Sequence, residues 1–294
     1  MNKFLILFIV LFFFSIQVGK SISIGISPPS IDLGELKRGE VKEFSFDLLT
    51  SYTENVLIYV QVEKAPRDII ARYTDILDEI SEEDASSWIK IDTNPITLQL
   101  VNETLQTRKV VLKITIPQDA EPGYHFLKII PKPIVTKEVS SQVGGIAVSI
   151  TSIILKFRVE GNVEQKGKIL DTVVTYENGR ANFETYFLNQ GNVTLEIKAI
   201  FMVEGENQSL TVHSPYTLVQ PNKVAKLSTS SILKTGIYNL TTSVYWLSGN
   251  TSKFQTVEVK ETKKEIVFIP KIDYLPLIIL IIIIIISYLI GKYV

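Results

Sequence analysis

Residues 275–290 read LPLIILIIIIIISYLI, sixteen positions without a charge. A helix of a globular domain needs an apolar stripe on one side only, so a run that is apolar all round belongs in a deep core or in lipid. At about 1.5 Å per residue, Leu275 to Val294 spans roughly 30 Å, the thickness of a bilayer's hydrocarbon. A strand of this length falls outside the usual range. The run predicts a transmembrane helix over 274–291, with a stalk over 261–273 and a cytoplasmic tail over 292–294.

The other end of the chain sets the direction. Lys3, the unbroken apolar stretch Phe4 to Phe14, and then Ser15, Gln17 and Gly19 describe a secretory signal over 1–20. An uncleaved N-terminal anchor is the rival reading, and either one exports the residues between the two apolar ends. Lys292 against Lys260, Lys263, Lys264 and Lys271 runs counter to the positive-inside rule, but the leading segment usually sets topology. The expected location is a cell membrane, crossed once, with the N-terminal ectodomain outside.

Between the two apolar ends the pattern has period two. Phe44, Phe46 and Leu48 alternate with polar residues, as do Val56 to Val62, Val110 to Ile116 and Leu195 to Val203. Such alternation marks half-buried antiparallel strands. Asn178-Gly179 signals a type I′ hairpin. Short strands at regular intervals, twice over, predict an all-β ectodomain of two tandem immunoglobulin-like β-sandwiches, over 21–161 and 165–260. One stretch breaks the rule. Ile69, Ile70, Tyr73, Ile76, Leu77 and Ile80 have helical spacing after Pro66 and Asp68, which predicts an amphipathic helical insertion over 68–82 in the first sandwich. Its acidic end, Glu82-Glu83-Asp84, is read as a solvated charge run, with cation binding as the alternative.

Composition removes several functions. Net charge is −1, so no basic field invites nucleic acid. The chain has no cysteine, which excludes disulfides, thiolate catalysis and Cys-based metal sites. His125 and His213 are its two histidines, and neither stands in a metal-ligand spacing. His125 reads as a structural strand residue, and His213 as a loop residue. No nucleophile elbow, P-loop or dinucleotide fingerprint is present. No catalytic residue, cofactor or metal ligand is expected, and the chain reads as a non-enzyme, with a hydrolase built on an unrecognised pair of carboxylates as the alternative.

One pattern remains. N-x-[ST] occurs at Asn102, Asn192, Asn207, Asn239 and Asn250, all in the exported part. These are the candidate N-glycosylation sites. Four lie in the second sandwich, which leaves the first, or the groove between them, freer for a partner. The tyrosine-bearing strands Tyr124 to Val135 and Tyr238 to Trp246 are candidate contact elements, since an exposed strand can pair with another chain.

The layout resembles the surface proteins that hold WxL-type proteins on Gram-positive cell walls. The stretches that carry the likeness are SPPSIDLGELKRGEVKEFSF, PQDAEPGYHF, GGIAVSI and LKTGIYNLTTSVYW. The first domain is also similar to Ig-like sandwiches appended to glycosidases. The resemblance implies a wall-polymer-binding domain, a host-binding domain and a membrane helix. Two features depart from it: the tail lacks a basic cluster, and the insertion at 68–82 is extra. The Ile- and Lys-rich, cysteine-free, sequon-bearing chain suits an archaeal relative, with a surface-layer or glycan partner in place of a wall polymer. The expected partners are membrane lipid through the C-terminal helix and a surface protein or cell-envelope polymer. An accessory subunit of a surface filament, secretion or transport complex, docked through that helix, is the alternative.

Overall fold

A computed structural model describes residues 21–50, 56–98, 106–134, 147–206 and 208–260. The segments read as signal, stalk, membrane helix and tail lie outside the described residues. Among the described residues, no helix is long and apolar enough to cross a membrane.

Among the described residues, the first sandwich has ten strands: β1 Ser21–Ser27, β2 Ser30–Leu36, β3 Val41–Thr50, β4 Val56–Lys64, β5 Ile89–Ile91, β6 Ile96–Leu98, β7 Gln106–Thr115, β8 Gly123–Ile134, β9 Ala147–Ile150 and β10 Ile153–Val159. One sheet has the order β5-β7-β3-β1-β9 and the other β2-β10-β8-β4-β6. Successive strands alternate between the sheets. The connections at Pro28-Pro29 and between β9 and β10 run side by side and leave two parallel pairs, β1 with β9 and β2 with β10. The first strand is therefore internal to its sheet. Alternating residues of both sheets, among them Phe46, Leu112, Leu127 and Phe157, meet in one dry core with Trp88.

The second sandwich has eight among the described residues: β11 Gly167–Glu177, β12 Arg180–Asn189, β13 Leu195–Glu204, β14 Ser209–His213, β15 Thr217–Val219, β16 Val224–Ile232, β17 Gly236–Tyr245 and β18 Asn250–Val259. β11-β12-β16 form one sheet. β14-β13-β17-β18 form the other, with β15 also on β13. Asn178 and Gly179 have φ of 54° and 75°, the two positive values a type I′ hairpin requires. Phe183, Phe187, Phe201 and Leu240 fill the second core. The two sandwiches belong to one compact unit that ends at Lys260.

The insertion between β4 and β5 is not the expected helix over 68–82. It forms a single turn, α1 Arg67–Ile70, and a 3-10 turn at Leu77–Glu79, and then runs extended to a second 3-10 turn at Ser86–Trp88. Isoleucines, Tyr73 and Thr74 are mediocre helix formers, and no side chain caps α1. The apolar spacing serves a strap instead. Ile70 and Ile80 pack on Phe126, on the outer face of β8, with Tyr73, Ile154 and Leu247 around them.

Candidate functional site

The strap leads to the junction of the two sandwiches. Ile80 bridges Tyr124 in parallel, and Ser81 N–H donates to the Tyr124 carbonyl at 3.0 Å. One residue on, Glu82 N–H donates to the carbonyl of Thr194 in the second sandwich, at 3.1 Å. The strap thus works as a short strand between domains. The linker after β10 holds it from the other side. Gln165 Nε2 donates to the carbonyls of Leu77 and Ile80, both at 2.8 Å, and its Oε1 accepts from Ser248 Oγ at 2.5 Å.

Three glutamates carry the rest. Glu82 is 1 % exposed; its Oε2 accepts the backbone N–H of Glu196, and its Oε1 meets Arg67 Nη1 at 3.2 Å. The same Arg67 nitrogen donates to the Glu196 carbonyl at 2.7 Å, and the guanidinium lies over the Tyr216 ring at 4.9 Å. Glu121 takes Thr194 N–H at 2.5 Å and Thr194 Oγ1 at 2.6 Å, one on each carboxyl oxygen. Ser81 Oγ adds a third bond to Glu121, at 2.5 Å. Glu83 accepts Glu121 N–H at 3.0 Å. First-sandwich carboxyls therefore satisfy backbone donors at the start of β13, which would otherwise be buried without partners.

Burial sets the acidity of this cluster. It pushes Glu82 up to about 7, against the lowering effect of the Glu196 N–H, Lys64 and Arg67. Glu83 is also raised to about 7, first by burial and then by Glu121 and Asp119 nearby. Behind them His125, fully buried, stacks on Phe157 at 5.3 Å. Its Nε2 lies 3.0 Å from the Glu121 carbonyl, which can only accept, so that nitrogen carries the proton. Burial lowers its pKa to about 4, so the imidazole is neutral. His125 is the structural residue the sequence suggested, whereas His213 closes β14, exposed, instead of lying in a loop.

The acidic stretch Glu82-Glu83-Asp84 is thus no solvated run. Glu82 is buried, Glu83 is half-buried, and Asp84 accepts Ser86 N–H at 2.9 Å. Among the described residues, no group of three or more His, Cys, Asp or Glu is arranged to hold a metal ion. Sequence reading missed this site because its partners are distant in the chain. The one local sign was two adjacent acids following an apolar stripe.

The five sequon asparagines fall in different settings. Asn102 and Asn207 lie outside the described residues. Asn192 is exposed, but its side chain is occupied: Nδ2 donates to the Asn162 carbonyl and Oδ1 accepts Glu164 N–H, both at 2.8 Å. Its sequon threonine, Thr194, is the one bound by Glu121. Asn239 points outward from β17 and Asn250 opens β18, both exposed. The candidate contact strands need correction. β8 is paired on both sides, by β10 and β4, and β17 by β13 and β18, so neither offers a free edge.

No protein-family model matches the chain, and no curated protein matches it. Among solved structures, the class 5 fimbriae chaperone CfaA aligns over 79 % of this chain and 98 % of its own, at 10 % identity and a TM-score of 0.33. The E. coli chaperone DraB aligns over 82 % and 98 %, at 11 % identity and a TM-score of 0.31. A putative carbohydrate binding protein from Bacteroides ovatus aligns over 81 % and 70 %, at 9 % identity and a TM-score of 0.34. Scores this low carry no argument about activity or partners.

Proposed function

We propose that the chain is a non-enzymatic, single-pass surface protein whose two-sandwich ectodomain stands outside the cell and binds or scaffolds surface proteins or cell-envelope polymers. The observation that supports this most is the junction. Buried carboxyls of one sandwich hold the backbone of the next, which favours a fixed arrangement of the two. A rigid presenting arm needs this; a hinged enzyme closing on substrate does not.

The contact element is the outer edge of β7. β5 covers only Leu112 to Ile114, so Gln106 to Val111 lack a partner strand on that side among the described residues. An open groove of about 220 Å³ runs along this edge, lined by Asp92, Thr93, Ile96 and Arg108. An extended segment of a surface protein adds there as a further strand. Ectodomain cross-linked on intact cells and then purified should carry a surface component, and Val111→Glu should cut its yield at least tenfold. Recovery of no component, or equal recovery with the variant, overturns the reading. Exchanging residues 275–290 for an unrelated apolar span should leave the yield unchanged; loss would favour docking through that span.

A further inference from the structure

The outer face of the β14-β13-β17-β18 sheet is largely polar but carries a few large, exposed apolar side chains. Met202, Ile237, Tyr245 and Phe254 all point out from it, with Phe254 76 % and Ile237 69 % exposed. They stand apart from one another along the strands, so what matters at each is its immediate neighbour. Two of the three described sequon asparagines stand on this same face. Asn250 is directly opposite Tyr245. Asn239 is opposite Thr256, and Thr241 opposite Phe254, so Phe254 is the diagonal neighbour of Asn239. Direct and diagonal neighbours across antiparallel strands lie within reach of a large side chain or of a group attached to one.

The chemistry of the three asparagines differs in the same sense. Asn239 Oδ1 accepts Thr256 Oγ1 at 3.2 Å, and its Nδ2 has no partner among the described residues. The Asn250 side chain has none either. Asn192 Nδ2 is held by the Asn162 carbonyl.

We propose that Asn239 and Asn250 carry N-linked glycans that fold over this face, the apolar sides of their first sugars lying on Phe254 and Tyr245, while Asn192 stays unmodified. The proposal rests on export of the ectodomain. The donor is a polyprenyl-phosphate-linked oligosaccharide outside the cytoplasm. Asn Nδ2 forms a bond to the anomeric carbon, the bond from that carbon to the phosphate oxygen breaks, and the lipid phosphate leaves. The displaced amide proton passes to a base of the transferase. No electron changes hands. Thr241 and Ser252 supply the sequon hydroxyls.

The test is site-resolved mass spectrometry of the full chain purified from the cells that make it, alongside protease accessibility on intact cells. Expected are glycopeptides at Asn239 and Asn250 and a bare Asn192. A bare Asn239 or Asn250 overturns the proposal. If the ectodomain is then protease-sensitive on intact cells, export stands; if it is shielded, export falls with it. A second measurement tests the covering itself. Chain made in a host without N-glycosylation should bind an apolar-surface dye several-fold more strongly than native chain, and Phe254→Ser should remove most of that excess. Equal dye binding by the two forms overturns the covering.

Discussion

Glu82 and His125 pull the pH dependence of stability in opposite directions. The Glu82 carboxyl is raised from 4.5 to about 7, so the folded protein holds a proton that the unfolded chain has released. Stability is full below the lower value and falls as pH rises toward the upper one. Glu83 acts in the same sense over the same window. His125, lowered from 6.5 to about 4, refuses a proton that the unfolded chain accepts, so its contribution is lost as pH falls through that window. Two carboxyls against one imidazole place the optimum of these three groups at about pH 4. Calorimetry should find the melting temperature highest there and lower by roughly 5–10 °C at pH 8. Glu82→Gln keeps an acceptor for Glu196 N–H and removes the titration, so it should flatten the slope above pH 6. Glu82→Ala leaves that N–H without its acceptor and Arg67 with Glu196 alone, and should cost about 2–3 kcal/mol in denaturant unfolding. An unchanged slope in the first variant would show that Glu82 does not titrate there.

At the scale of elements, the strap is where local reading and tertiary fact part. The strands were legible because alternation is a local property: each residue's side of the sheet follows from its neighbour's. The strap was not. Ile70, Tyr73, Leu77 and Ile80 suit a helix stripe, yet the carbonyls of Leu77 and Ile80 are taken by one Gln165 amide and Glu82 N–H by Thr194. Those partners lie far along the chain, and no window of sequence contains them. The same holds for the site: the sequons could be spotted, but that Asn192 ties down the linker could not. Gln165→Ala should therefore raise amide exchange in residues 77–82 at least tenfold and leave the two cores unchanged. Equal exchange would mean that the strap is held by its apolar side alone. Gly123, where β8 leaves the strap, has φ +105°, and an added Cβ would fall 2.5 Å from the Glu79 carbonyl oxygen. Gly123→Ala should cost roughly 2 kcal/mol or more, measured by thermal melting.

For the whole molecule, the sequence reads as an ectodomain between two apolar ends, and the described residues as one compact unit that closes at Lys260. Full-length chain should sediment with membranes and need detergent to leave them. A chain ended at Lys260 should stay in the supernatant as a folded species. Sedimentation of the shortened form would place the attachment in the sandwiches themselves. Gln165 is the piece of this architecture with the widest reach. One amide grips the strap while its own oxygen is held by Ser248, at the tip of the hairpin between β17 and β18. A tug on the last strand should thereby reach the neighbouring domain within a few bonds, and the pair should answer a mechanical load as a strut instead of a chain of beads.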